Sequence, residues 1–179
     1  MLAALWQSQF IRLVPVGMVL LAIQRSLFVQ LTVLGVIIQI VLVLAAACGA
    51  AGGSERGAVA GFILGVMYDL AEGLPIGSTA IPMVLAGAFA GLLALIVADP
   101  HWWLAMIFTA IGAAIGEAMV PVVRLFVGVS NPFEPRLVLV VTVVAVAAAV
   151  LSPLFVPLAR WCLRIKRPEW VAPPKEAGI

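Results

Sequence analysis

Long apolar runs, with scarcely a charge inside them, fill this chain from Phe10 to Leu158. A run of about twenty such residues matches the hydrocarbon core of a bilayer. Soluble domains carry about a quarter charged residues. Here 10% of the 179 residues are charged and 65% are hydrophobic, with a mean hydropathy of +1.25. A surface this apolar is unsuited to water. The sequence therefore predicts an all-α integral membrane protein. A membrane β-barrel would alternate polar and apolar residues in segments of about ten, and these runs do not alternate.

One polytopic domain over 1–163 accommodates the length, followed by a basic, Pro-containing tail over 164–179. The apolar runs predict about six transmembrane helices in a compact bundle: 10–30, 31–51, 57–70, 79–98, 104–127 and 136–158. Gly52-Gly53-Ser54-Glu55-Arg56-Gly57 reads as a turn, Asp99-Pro100-His101-Trp102-Trp103 and Ser130-Asn131-Pro132-Phe133-Glu134-Pro135 as loops. The third span is short, roughly 21 Å of helix, so its far end should meet protein or an interface. Six spans place both termini on one side. Arg12, Arg56, Arg160, Arg164, Lys166, Arg167 and Lys175 gather there, against Arg25, Arg124 and Arg136 opposite. Positive charge marks the cytoplasmic side, so both termini are expected in the cytoplasm, and the basic tail also suits contact with anionic lipid. No Lys or Arg precedes Arg12 and the apolar run continues into further spans, unlike a cleavable signal.

Polar features concentrate between Gly57 and Gly91. Gly57, Gly61 and Gly65 recur every fourth residue, as do Gly87/Gly91 and Gly112/Gly116. Such spacing lets helix backbones approach closely within a membrane. Packing inside the bundle is the ordinary outcome, a partner-facing groove the other. Asp69 and Glu72 share one helix face and precede the turn Gly73-Leu74-Pro75-Ile76-Gly77. Buried acids in a membrane face a cavity, a partner or the interface. Here the turn that follows at once favours a structural role, capping or orienting it. Glu117 lies deeper, with Arg124 on its own helix or Arg25 from the first span as its expected partner.

Little here suits catalysis or a cofactor. His101, the one histidine, sits beside Pro100 and two tryptophans, as an interfacial residue does. Ser78 lacks a Gly-x-Ser-x-Gly elbow. There is no phosphate-binding glycine loop, and Cys48 and Cys162 give no metal-ligand spacing. No enzymatic activity, cofactor, metal or nucleic acid is expected.

A short glycine-rich span leading into Gly65-x-x-x-Asp69-x-x-x-Gly73-x-Pro75-x-Gly77 resembles the rod shape-determining protein MreD family. The length, the six spans and the basic tail fit as well. The resemblance implies a non-enzymatic membrane scaffold of the bacterial cell-elongation and peptidoglycan-synthesis machinery, in the inner membrane. It implies a bitopic MreC-like partner and, through it, an actin-like filament, a peptidoglycan synthase and a transpeptidase. It also implies a bundle similar to the substrate-binding subunit of energy-coupling-factor transporters, with a pocket bordered by Asp69 and Glu72. A solute-binding subunit of a vitamin or small-molecule transporter is thus the alternative. The scarcity of aromatic and polar side chains within the spans favours the scaffold.

Overall fold

A computed structural model describes residues 10–28, 32–33, 35–96, 102–128 and 135–165. Six α-helices make up most of these: α1 (Leu13–Ile23), α2 (Ile40–Gly52), α3 (Ser54–Glu72), α4 (Ala80–Ile96), α5 (Trp102–Phe126) and α6 (Leu137–Cys162). One π-helical stretch, Gln24–Phe28, prolongs α1. A two-stranded antiparallel ribbon, β1 (Thr32–Val33) and β2 (Val36–Ile37), leads into α2.

The sequence of α2, IVLVLAAACGAAG, offers no polar face. A helix apolar all round belongs in an interior, and every residue from Ile40 to Ala50 is buried. The helix is a central post touched by all five others. Its 13 residues span only roughly 20 Å. Around it, α3 packs most extensively on α4, α4 on α5 and α5 on α6, while α1 lies against α3. Hydroxyls tie α5 to α6: Thr109 donates back to the Ala105 carbonyl at 2.7 Å, and Ser152 donates to Thr109 at 3.3 Å. Arg12, ahead of α1, stacks its guanidinium 4.9 Å from the ring centroid of Trp161 in α6.

Three helix boundaries differ from those the sequence predicts. The helix expected over 31–51 begins at Ile40, because the chain first makes the ribbon, pairing Thr32 with Ile37 and Val33 with Val36. Gly35, at φ +80°, supplies the left-handed turn between the strands. The helix expected over 57–70 runs for 19 residues from Ser54 to Glu72. The turn expected over 52–57 shrinks to Gly53, whose φ of 86° breaks the helix in a single residue. The short α-helices of the bundle are therefore α1 and α2, at 11 and 13 residues, rather than α3. The last helix continues through Pro153 and Pro157 to Cys162 instead of ending near residue 158.

Two helices are long and apolar enough to cross a membrane, α5 from Trp103 to Phe126 and α6 from Leu137 to Cys162. The other apolar helices are shorter. His101, the 129–134 segment and the tail from 166 onward lie outside the described residues.

Candidate functional site

The glycines form one seam. Gly91 of α4 abuts Gly53 and Ser54, Gly87 abuts Gly57, Met83 abuts Gly61, and Ala80 abuts Gly65, in antiparallel order along α3 and α4. At Gly57, Gly61, Gly65, Gly87 and Gly91 an added methyl would lie closer than 3.0 Å to backbone atoms of the facing helix. Each glycine is thus a point of backbone contact, and none has room for even one carbon. Gly49 of α2 completes a three-helix junction, its Cα against Gly57 and its own missing Cβ directed at the Gly87 carbonyl. Gly112 and Gly116 carry the same kind of contact from α5 to α4. The seam is internal, and the partner-facing alternative does not apply to these glycine faces.

At the end of that seam stands Asp69, fully buried in the last turn of α3. Its Oδ2 accepts from the backbone N–H of Gly77 at 2.8 Å and of Ala80 at 3.4 Å. Its Oδ1 accepts from the Ser78 hydroxyl at 3.1 Å, from the Thr79 backbone N–H at 3.0 Å and from the Thr79 hydroxyl. A carboxylate has about four lone-pair positions, so every one is occupied. Three of the donors are otherwise unpaired N–H groups at the start of α4, where the helix dipole also favours negative charge, and the other two are the Ser78 and Thr79 hydroxyls. Asp69 therefore caps α4 from the preceding helix. Its main-chain carbonyl meanwhile accepts from Gly73 and, at 2.9 Å, from Leu74.

Each residue of the sequence motif now has a task. Gly65 brings the α3 backbone onto Ala80. Gly73 ends α3 in the left-handed conformation, φ 69° and ψ 26°. The Pro75 carbonyl accepts the Ser78 N–H at 3.1 Å. Gly77, at φ 105°, turns its N–H onto Asp69. The motif encodes a helix–turn–helix clasp.

Glu72 does not share the site of Asp69. It is exposed and forms an ion pair with Arg25, whose Nε lies 3.6 Å from Glu72 Oε1. Arg25 Nη1 also donates to the Ala71 carbonyl at 2.9 Å, so this arginine caps the C-terminus of α3 from the π-helical stretch. The expected pocket bordered by Asp69 and Glu72 is absent from the arrangement of these two side chains: one acid is saturated and the other is paired at the surface.

The assignment of Arg25 also removes it as the partner of Glu117. Glu117 is buried, 8% exposed, and its Oε2 has no hydrogen-bond partner among the described residues. Arg124, exposed on the same helix, is the charge that acts on it through space, without a direct ion pair. Two neighbours at this end were not singled out from the sequence. Gln24 is buried and its Oε1 accepts the Val41 N–H at 3.4 Å, in the first turn of α2. Tyr68 of α3 lies close to Gln24 and within electrostatic reach of Glu72, Glu117 and Arg124. The missed signal for the clasp was Ser78-Thr79 ahead of an apolar run, a helix-start pattern.

No protein-family model, curated protein or solved structure matches this chain. The site is therefore read from its geometry. Among the described residues no three His, Cys, Asp or Glu side chains gather as metal ligands would. The chemistry on offer is helix capping, backbone apposition and one buried carboxyl with a spare oxygen.

Proposed function

We propose that this chain is a multi-span helical protein of the bacterial inner membrane and acts as a non-enzymatic scaffold of the MreD type. The observation that carries this reading is the use made of Asp69. The most conspicuous acid in an apolar chain spends all its acceptor capacity on fastening α3 to α4, and the glycine seam below it locks the same two helices together. That is the construction of a rigid platform. A bundle held this stiffly suits presenting a surface to a single-span, MreC-like partner, and through it to the filament, the synthase and the transpeptidase.

The membrane half of the reading rests on α5 and α6 and on the outer faces of the bundle. Ile96, Phe126, Val138 and Val150 are among many large apolar side chains left exposed. The short α2 and its ribbon do not oppose it, since irregular backbone at membrane depth is tolerated where protein surrounds it. Val36 and all of α2 up to Ala50 are buried in this way.

The solute-binding alternative draws on one observation, the spare oxygen of buried Glu117, within electrostatic reach of Tyr68. Depletion of the protein separates the two readings. The scaffold predicts that rod-shaped cells round up while solute uptake persists. Unchanged shape with a lost uptake activity would reject it in favour of the alternative.

A further inference from the structure

The end of the bundle opposite Asp69 gathers positive charge from three helices. Arg12 precedes α1, Arg56 lies in the first turn of α3, and Arg160 and Arg164 close α6. Their proximity is structural. Arg12 stacks on Trp161. Gly52, the last residue of α2, has Arg56 on one side and Leu163 and Ile165 on the other, all within 3.1–3.2 Å of where its Cβ would be. The ion pair found among the described residues, Arg25–Glu72, lies at the far end. No carboxylate among the described residues comes within ion-pairing distance of any of these four guanidiniums. Glu55 is the acid nearest in sequence, and it points to solvent.

Four guanidiniums without a carboxylate partner at one end of the bundle repel one another, and an anion at that end relieves the repulsion. Trp161 adds a second specification. It is 56% exposed, flat against Arg12, and an amphipathic ring of this kind sits where an apolar layer meets water. Guanidinium binds phosphate in a planar, two-pronged geometry. The arginines come from the ends of three helices, and Arg164 is exposed while Arg12, Arg56 and Arg160 are half-buried, an arrangement that faces a surface rather than enclosing a small free anion. We propose that this end is a binding site for an anionic phospholipid, with the headgroup phosphate on Arg12, Arg160, Arg164 and Arg56 and the chain beside Trp161. The site rests on the membrane reading above, and it would hold the C-terminal end of α6 against the starts of α1 and α3.

The test uses the full chain purified in mild detergent and mixed with phosphatidylglycerol or phosphatidylcholine, with retained lipid counted by native mass spectrometry. Phosphatidylglycerol should be retained preferentially. Each arginine at this end changed to glutamine should lower retention roughly five-fold, the effect of one basic residue near an anionic surface. Arg12→Lys should fall between wild type and Arg12→Gln, because charge survives without the stacked plane. Arg136→Gln, at the other end, should leave retention unchanged. Equal retention of the two lipids, or equal loss in Arg136→Gln and Arg160→Gln, overturns the proposal. So does displacement of the lipid by millimolar glycerol phosphate, which would mark a site for a free anion. A chain that leaves membranes in an alkaline wash defeats the membrane reading and this site together. A chain that stays embedded but shows no preference for phosphatidylglycerol defeats this site alone.

Discussion

Asp69 and Glu117 are both buried carboxyls, yet the structure gives them opposite stakes. Asp69 accepts on both oxygens, so its partners rather than its charge define what can replace it. In Asp69→Asn, the amide nitrogen can take only one of the two places. Either it faces the N–H groups of Gly77 and Ala80, or it faces Ser78 and Thr79. Donor then meets donor, and an unsatisfied buried group costs about 1–3 kcal/mol. Asp69→Leu strips every acceptor and should cost more. The expected order of thermal midpoints in detergent is therefore wild type, then Asn, then Leu, and an Asn variant as stable as wild type would refute the clasp. Glu117 behaves otherwise because one oxygen has nothing to lose. Glu117→Gln removes a charge that burial disfavours and keeps the shape. Its midpoint should match or exceed that of the wild type. A loss of more than about 1 kcal/mol would instead reveal an ionic partner that the carboxylate alone satisfies.

At the scale of elements, the glycines divide into two classes that substitution can tell apart. Gly57, Gly61 and Gly87 have ordinary helical backbones and no space, whereas Gly73 has space around it and a backbone only glycine adopts freely. Gly87→Ala forces a methyl into the backbone of α3 and should cost about 1–3 kcal/mol by overpacking, with serine no better. Gly73→Ala should cost about 1–2 kcal/mol from the left-handed conformation, and Gly73→Asn should recover part of that because asparagine tolerates it. Chemical denaturation of the four variants checks both classes at once, and rescue of Gly87 by any side chain would dismiss the seam. The spacing of these glycines was legible from sequence because a four-residue period marks one helix face whatever lies opposite. Gly49 was not legible, since nothing in LVLAAACGAAG marks the side that meets Gly57 and Gly87. The start of α2 was hidden for a related reason. Val33 to Ile40 is as apolar as the helix after it, so hydropathy passes through the ribbon unchanged, and Gly35 alone betrays the turn. The clasp was half visible: the motif, its structural bias and the Ser78 and Thr79 hydroxyls stand in the sequence, but the other three donors to Asp69 are backbone N–H groups, which no sequence displays.

Across the whole molecule, the six helices pass back and forth between two chemically different ends. The Asp69 end mixes signs, with Arg25 against Glu72 and Arg124 acting on Glu117. The Arg12 end is basic and joined by the Arg12–Trp161 stack, which brings the first and last helices together. That closure sets the start of α1 and the end of α6 at the same end of the bundle. On the membrane reading proposed above, this asymmetry would place the basic end in the cytoplasm, where positive charge is retained. The orientation can be read by labelling, because the native thiols Cys48 and Cys162 are both buried and give little background. Glu55→Cys and Ile76→Cys put an exposed thiol at the basic and the mixed end respectively. In intact spheroplasts an impermeant maleimide should label Ile76→Cys and spare Glu55→Cys until the membrane is opened. Labelling of both from outside would mean that the chain does not traverse the membrane between the two ends of α3. The reverse pattern would invert the bundle and place the guanidiniums outside, away from the side on which positive charge is normally held.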